Sequence, residues 1–215
     1  ERDFVGVKQV KALVDTVRGD GLPVFLNADH SYSVDRIKEV VDAGFDAAII
    51  DCADKSFEEN ISITREAVNY KNSKNPAALI ESELGFIGKS SKVLDSIPEG
   101  AEASDTTMTN PEEAAEFVRE TGVDLFAPAV GNIHGMVRGG NPKINIERIR
   151  QIKEAAKVPL VLHGGSGITD DEFKGAINAG INSIHINTEI RLAYKQGLMR
   201  SLAENQEEIA PYKYL

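Results

Sequence analysis

Six short, nearly continuous apolar runs divide the chain: LPVFLNADH (22–30), DAAIIDCAD (46–54), PAALIESELG (76–85), VDLFAPAVGNIH (123–134), VPLVLHGG (158–165) and NSIHINTE (182–189). Runs of this length, apolar rather than alternating, predict parallel strands buried on both faces. The intervening pattern is helical and well punctuated. SVDRIKEVVDAG offers Ser33 as N-cap and Gly44 just past the end, and NPEEAAEFVRETG offers Asn110, Pro111 at the first helical position and Gly122. TDDEFKGAINAG pairs Thr169 with Glu172 as a capping box and closes at Gly180. An amphipathic helix is predicted at ERDFVGVKQVKALVDTV (1–17), and a last one at TEIRLAYKQGLMRSLAEN.

Each predicted strand begins apolar and ends in reactive side chains: Asp29 and His30, Asp51 and Asp54, Glu81 and Glu83, His134, His163, then His185, Asn187 and Thr188. A (β/α)8 barrel gathers the C-terminal ends of its strands at one mouth, whereas a doubly wound sheet binds at one switch point and draws on fewer strands. The predicted fold is therefore an α/β, (β/α)8 TIM barrel, a single domain over residues 1–215. Six strands are visible where closure needs eight, so the first two strands are expected to be absent from this sequence.

Composition narrows the function classes. A formal net charge of −10 argues against a general nucleic-acid binder, so an anionic ligand must be held by a metal or by local backbone amides. No run approaches the roughly 20 apolar residues of a membrane span, and the N-terminal helix does not read as a signal peptide. The single cysteine, Cys52, excludes an internal disulfide framework and makes the cytoplasm the expected compartment.

His30, His134 and His163 end three different strands, an arrangement that suits a zinc-type site with an open coordination position. Asp29, beside His30, is then either a general acid or base or a partner that orients the imidazole. Asp51 and Glu83 are either further metal ligands or members of ion pairs in the mouth. Gly164, Gly165 and Ser166 read as a phosphate cradle, with the amides of the following helix facing the anion.

Taken together, NADHSYSVDRIKEVVDAGFDAAIIDCADKSFEENI, ESELGFIG, GVDLFAPAVGNIHG, KVPLVLHGGSGI, INTEIR and NQEEIAPYKYL resemble the class II, metal-dependent fructose-bisphosphate aldolases, within the ketose-bisphosphate aldolase group. The resemblance implies Asp29 as the catalytic proton donor and His30, His134 and His163 as zinc ligands. It implies Asp51 and Glu83 at a second metal position, and Gly135, Gly164, Gly165 and Ser166 around dihydroxyacetone phosphate. Asn187 and Thr188 match the end of the strand-eight segment. It further implies Zn2+ or another divalent cation, a homodimer or homotetramer, and cleavage of fructose 1,6-bisphosphate. Tagatose 1,6-bisphosphate or another ketose phosphate is the alternative substrate, and an idle sugar-phosphate-binding paralogue the alternative role.

The chain departs from the family pattern at four places. His185 stands where a substrate-contacting asparagine is usual, and it is expected to share a strand face with Asn187, so that both point into the mouth as substrate-binding residues. CADKSFEEN lacks the usual paired histidines. The segment after ELG reads FIGKSSKVLDSIPEGAEASDTT instead of an acidic, glycine-rich loop, leaving the family's loop carboxylate unassigned. The first two strands are the fourth.

Overall fold

In the computed structural model, which describes residues 2–89, 91–101 and 103–215, helices alternate with parallel strands. The N-terminal region forms α1 (Arg2–Val5) and α2 (Val7–Gly19). One continuous helix was predicted there; Gly6, at φ +103°, breaks it, since the left-handed region cannot continue an α-helix. Then follow β1 (Asn27–Ser31), α3 (Val34–Asp42), β2 (Ala47–Ile50), α4 (Phe57–Lys74), β3 (Leu79–Leu84), the short β4 (Val93–Leu94), α5 (Pro111–Thr121), β5 (Leu125–Pro128) and the short β6 (Met136–Val137). The chain continues through α6 (Ile146–Ala156), β7 (Leu160–Leu162), α7 (Asp170–Ala179), β8 (Ile181–Ile184), α8 (Thr188–Glu204) and α9 (Pro211–Tyr214).

The main sheet has six parallel strands in the order β1-β2-β3-β5-β7-β8, a partial barrel. The order runs one way without reversal, so the switch point of a doubly wound sheet is absent from it. The predicted capping appears as read: Ser33 Oγ accepts from the Arg36 N–H, Asn110 from Glu112 and Glu113, and the Thr169–Glu172 box is complete. The strand predicted at 22–30 is shorter than its apolar run. Leu22 and Phe25 are exposed, and pairing begins only at Asn27 on this sheet edge.

A repeated device ties the N-terminal end of the sheet together. Gly44-Phe45-Asp46, Gly122-Val123-Asp124 and Gly180-Ile181-Asn182 each carry the chain out of a helix into a strand. In each, the polar side chain accepts the N–H that opens the preceding strand segment: Asp46 from Leu26 (2.6 Å), Asp124 from Ile80 (2.7 Å) and Asn182 from Leu160 (3.1 Å). A basic side chain from a helix then holds the acceptor, Arg18 on Asp46, Lys71 on Asp124 and Lys153 on Asn182. With that end locked, the reactive side chains collect at the other.

The core centres on Ile37, Val40, Ile50, Ile80, Phe117, Phe126, Ile149, Ile152, Leu160 and Leu162, all fully buried between sheet and helices. Burying a side chain of this size is worth about 1.5–3 kcal/mol.

Candidate active site

A pocket opens at the C-terminal ends of the strands. It is lined by Asp29, His30, Tyr32, Asp51, Gly88, Lys89, Ser91, His134, Gly135, His163, Gly164, Ser166, His185, Asn187 and Thr188.

Strand alternation sends neighbouring side chains to opposite faces, yet Asp29 and His30 both line this pocket. The register explains it. Ala28 pairs with Ala48 and Ser31 with Ile50, so β1 spends one residue more than β2 over the interval. The bulge holds His30 at φ +40°, a left-handed conformation that a non-glycine residue adopts at a cost of about 1–3 kcal/mol.

His134 follows β5, and its Nδ1 lies 2.7 Å from the Gly88 carbonyl oxygen. The loop carrying Gly88 is fastened by pairing of β4 with β6 and by the His134 N–H donating to the Ile87 carbonyl. His163 follows β7; its Nε2 lies 2.6 Å from Glu81 Oε1. With those nitrogens donating, His134 Nε2 and His163 Nδ1 present lone pairs to each other at 3.3 Å. Glu83 Oε1 stands 3.0 Å from His163 Nδ1 and 3.7 Å from His30 Nδ1, yet it is buried without a hydrogen-bond partner. Acceptors converging on acceptors are what a cation requires. Candidate ligand atoms of His30, Glu83, His134 and His163 all lie within 4.8 Å of one another.

The neutral imidazoles agree with that reading, and the crowded acids carry the strain that a cation would relieve. Burial pushes His134 and His163 down to about 4, so both are neutral and able to ligate at pH 7. Burial also depresses His30, but the hydrogen bond to Asp51 and the charges of Glu83 and Asp29 outweigh it and raise the group to about 9. Burial raises Glu81 to about 7 and, helped by Asp51, lifts Glu83 well above the carboxylate range. Asp51 moves the other way: burial works against ionisation, and His30 more than compensates.

Asp29 is half-exposed at the mouth, 3.7 Å from His30 Nε2 and 3.9 Å from His185 Nδ1. The His185 ring packs 4.3 Å from that of His163, and with Asp29 and His163 it forms a second cluster of possible ligands.

Gly164, Ser166, Asn187 and Thr188, on the loops after β7 and β8, line the pocket together with Gly135, from the loop after β5. Ser166 Oγ accepts from the Asn187 and Glu189 N–H groups, and so ties the start of α8 to this loop. Two details differ from the sequence reading. The helix start that lines the pocket is that of α8, at Asn187 and Thr188, while the first turn of α7 carries Asp170, Asp171 and Glu172. Gly165 is not among the lining residues; a Cβ there would meet Ile184 and the His185 carbonyl, so this glycine serves the close approach of β7 to β8.

Glu81 was noted only as a strand-end acid, although its signal was present: it lies two residues before Glu83, and both are buried on β3. Tyr32 and Lys89 carried no sequence signal. Ser90 and Glu102, within the unusual loop, lie outside the described residues.

The whole chain, residues 1–215, matches the family model "Fructose-bisphosphate aldolase class-II". The chain belongs to the class II fructose-bisphosphate aldolase family. It is 34% identical over 209 residues to the fructose-bisphosphate aldolase of Geobacillus stearothermophilus, covering 97% of this chain and 69% of that one. The YdjI aldolase from Escherichia coli K12 superposes with a TM-score of 0.76 at 32% identity, over 96% of this chain and 69% of the other. A candidate fructose-1,6-biphosphate aldolase from Coccidioides immitis gives a TM-score of 0.79 at 29% identity, over 99% of this chain and 72% of the other. Family membership makes the chain a metal-dependent lyase of phosphorylated sugars, and the pocket donors are of the kind that such chemistry needs. Among the described residues no helix is long and apolar enough to cross a membrane.

Proposed function

We propose that the chain reversibly cleaves fructose 1,6-bisphosphate into dihydroxyacetone phosphate and glyceraldehyde 3-phosphate, with zinc held by His30, His134 and His163. The observation that carries this reading is the buried, unpartnered Glu83 oxygen facing imidazole nitrogens beside the half-exposed Asp29. Glu83 and Asp51 offer carboxylates for a second position of the cation. Bound there, the cation supplies Lewis acidity toward the ketose carbonyl.

The remaining work falls to the chain's own groups. Asp29 takes the C4 hydroxyl proton as the C3–C4 bond breaks and returns it in condensation. Gly135, Gly164, Ser166, Asn187 and Thr188 hold the phosphate of the dihydroxyacetone half, with Gly165 keeping β7 and β8 close enough to shape that cradle. A cytoplasmic, glycolytic and gluconeogenic role belongs to this reading. So does assembly as a homodimer or homotetramer, favoured by the exposed apolar residues Ile190, Tyr194 and Met199 on α8.

A second substrate is favoured by one observation. His185 lies beside Asp29, where it reaches the hydroxyls near C4, the centre at which fructose and tagatose bisphosphates differ. Metal analysis together with cleavage assays on both epimers separates these readings. Faster cleavage of the fructose epimer supports the first, and the reverse order supports the second. Asp29→Asn should lower kcat about 10²–10⁴-fold while metal content is retained. Undiminished turnover in that variant would point instead to an idle sugar-phosphate-binding paralogue with contaminating activity.

A further inference from the structure

We infer that Lys89 is a specificity-determining residue, recognising an anionic group at the far end of the aldehyde half of the substrate. This rests on the aldolase reading above. Among the described residues, Lys89 is the lysine or arginine that lines the pocket. The proposed cradle for the first phosphate sits on the loops after β7 and β8, with Gly135 from the loop after β5. Lys89 follows β3, and its two anchors follow the neighbouring strands: Nζ lies 2.8 Å from Asp54 Oδ2, after β2, and 5.6 Å above the Tyr32 ring, after β1. The sheet order β1-β2-β3-β5-β7-β8 therefore puts this cation on the opposite side of the pocket from the cradle.

The metal-type cluster and Asp29 lie between these two sides, and the Tyr32 ring stacks 6.2 Å from His30. A substrate with one phosphate in the cradle and its reacting carbons beside Asp29 points its other end toward Tyr32, Lys89 and Ser91. Asp54 and the tyrosine face hold the ammonium near the mouth, while its three donors leave capacity for an incoming anion. The surroundings otherwise repel anions, because Asp29 and Asp51 line the same pocket and the chain carries a formal charge of −10. One well-placed cation then decides which acceptors are admitted. Phosphate and carboxylate share this chemistry.

The test measures condensation of dihydroxyacetone phosphate with glyceraldehyde 3-phosphate, with glyceraldehyde, and with an aldehyde of similar length ending in carboxylate. Wild type should favour an anionic acceptor, and whichever is preferred identifies the anion. Lys89→Met should reduce that preference about 10–100-fold, the worth of a charge-assisted hydrogen bond, with KM for dihydroxyacetone phosphate unchanged and Lys89→Arg retaining most of it. An equal effect on charged and uncharged acceptors, or none, would overturn the inference. Calorimetric binding of hexitol 1,6-bisphosphate and hexitol 1-phosphate supplies a readout that needs no turnover. The tighter binding of the bisphosphate should disappear in Lys89→Met; an unchanged gap overturns the role of Lys89. If wild type condenses none of the aldehydes, the aldolase reading fails, and this binding gap still judges Lys89.

Discussion

Glu83 Oε1 stands 3.0 Å from His163 Nδ1 without making a hydrogen bond to it, although both side chains are buried. Leaving a buried polar atom unpaired costs about 1–3 kcal/mol, so the arrangement is stabilised by a ligand that satisfies both atoms at once. Zinc should therefore raise the melting temperature. At a free concentration of 100 times Kd the gain is about 2.7 kcal/mol, on the order of 5–10 °C for a protein of this size. Glu83→Gln should weaken zinc binding about 10–100-fold, measured by competition with a chromogenic chelator. A melting curve that is indifferent to zinc and to chelator would contradict the metal reading.

The raised His30 group predicts the pH dependence. In the metal-free protein this imidazole binds a proton up to about pH 9, compared with its ordinary value of 6.5. A group with a raised folded-state pKa stabilises fully below the unfolded value, and that contribution fades as pH climbs through the folded one. His30 should therefore make metal-free protein progressively less stable between about pH 6.5 and 9. Zinc must displace the same proton, so its affinity should increase over that window. Calorimetric titration at pH 7 in two buffers of different ionisation enthalpy should show release of at least one proton per zinc. Release of none would mean that His30 is already neutral before metal arrives.

Much of this site was legible in the sequence, because barrel strands announce themselves as apolar runs ending in chemistry. Asp29, His30, His134, His163 and Glu83 could each be placed at a strand end from pattern alone. The means by which Asp29 and His30 reach the same pocket could not. That depends on one extra residue in β1 relative to β2, and register between strands is a property of pairs that a single strand's pattern does not encode. The glycines of HGGSG were legible as special but not in purpose. Gly165 answers to Ile184 and the His185 carbonyl, contacts made across strands. Lys89 was invisible for a similar reason: only the loop's anchoring beside His134 brings it to the mouth.

Glu81 should matter to metal binding without touching the metal. Its Oε1 lies 2.6 Å from His163 Nε2, fixing the tautomer that leaves Nδ1 facing His134 and Glu83. A carboxylate in this position also makes the imidazole a better donor. Glu81→Gln keeps the shape and removes the charge, and should lower zinc affinity about 10–100-fold while the metal-free fold persists by circular dichroism. Glu81→Ala leaves His163 with an unpaired buried N–H and should destabilise the metal-free protein as well, by about 1–3 kcal/mol. Unchanged zinc affinity in the glutamine variant would assign Glu81 to packing alone.

Gly164 separates the architectural demand on the HGGSG loop from its chemical one. It adopts φ +65°, and a Cβ there would run into the backbone carbonyl of Ile133, the residue just before His134. That obstacle is main chain and cannot rotate away, so an alanine must push apart the loops that carry His134 and His163. Left-handed strain and displaced backbone together should cost Gly164→Ala roughly 2–4 kcal/mol, seen as a lower urea midpoint in metal-free protein. The same displacement moves His134 Nε2 away from its 3.3 Å approach to His163 Nδ1, so zinc affinity should fall with stability. Gly139, which has open space around the position of a Cβ and an ordinary φ, supplies the control: Gly139→Ala should change neither measurement. If Gly164→Ala kept its zinc affinity while losing stability, the two histidine loops would be positioned independently, and the coupling of metal site to loop packing would be wrong.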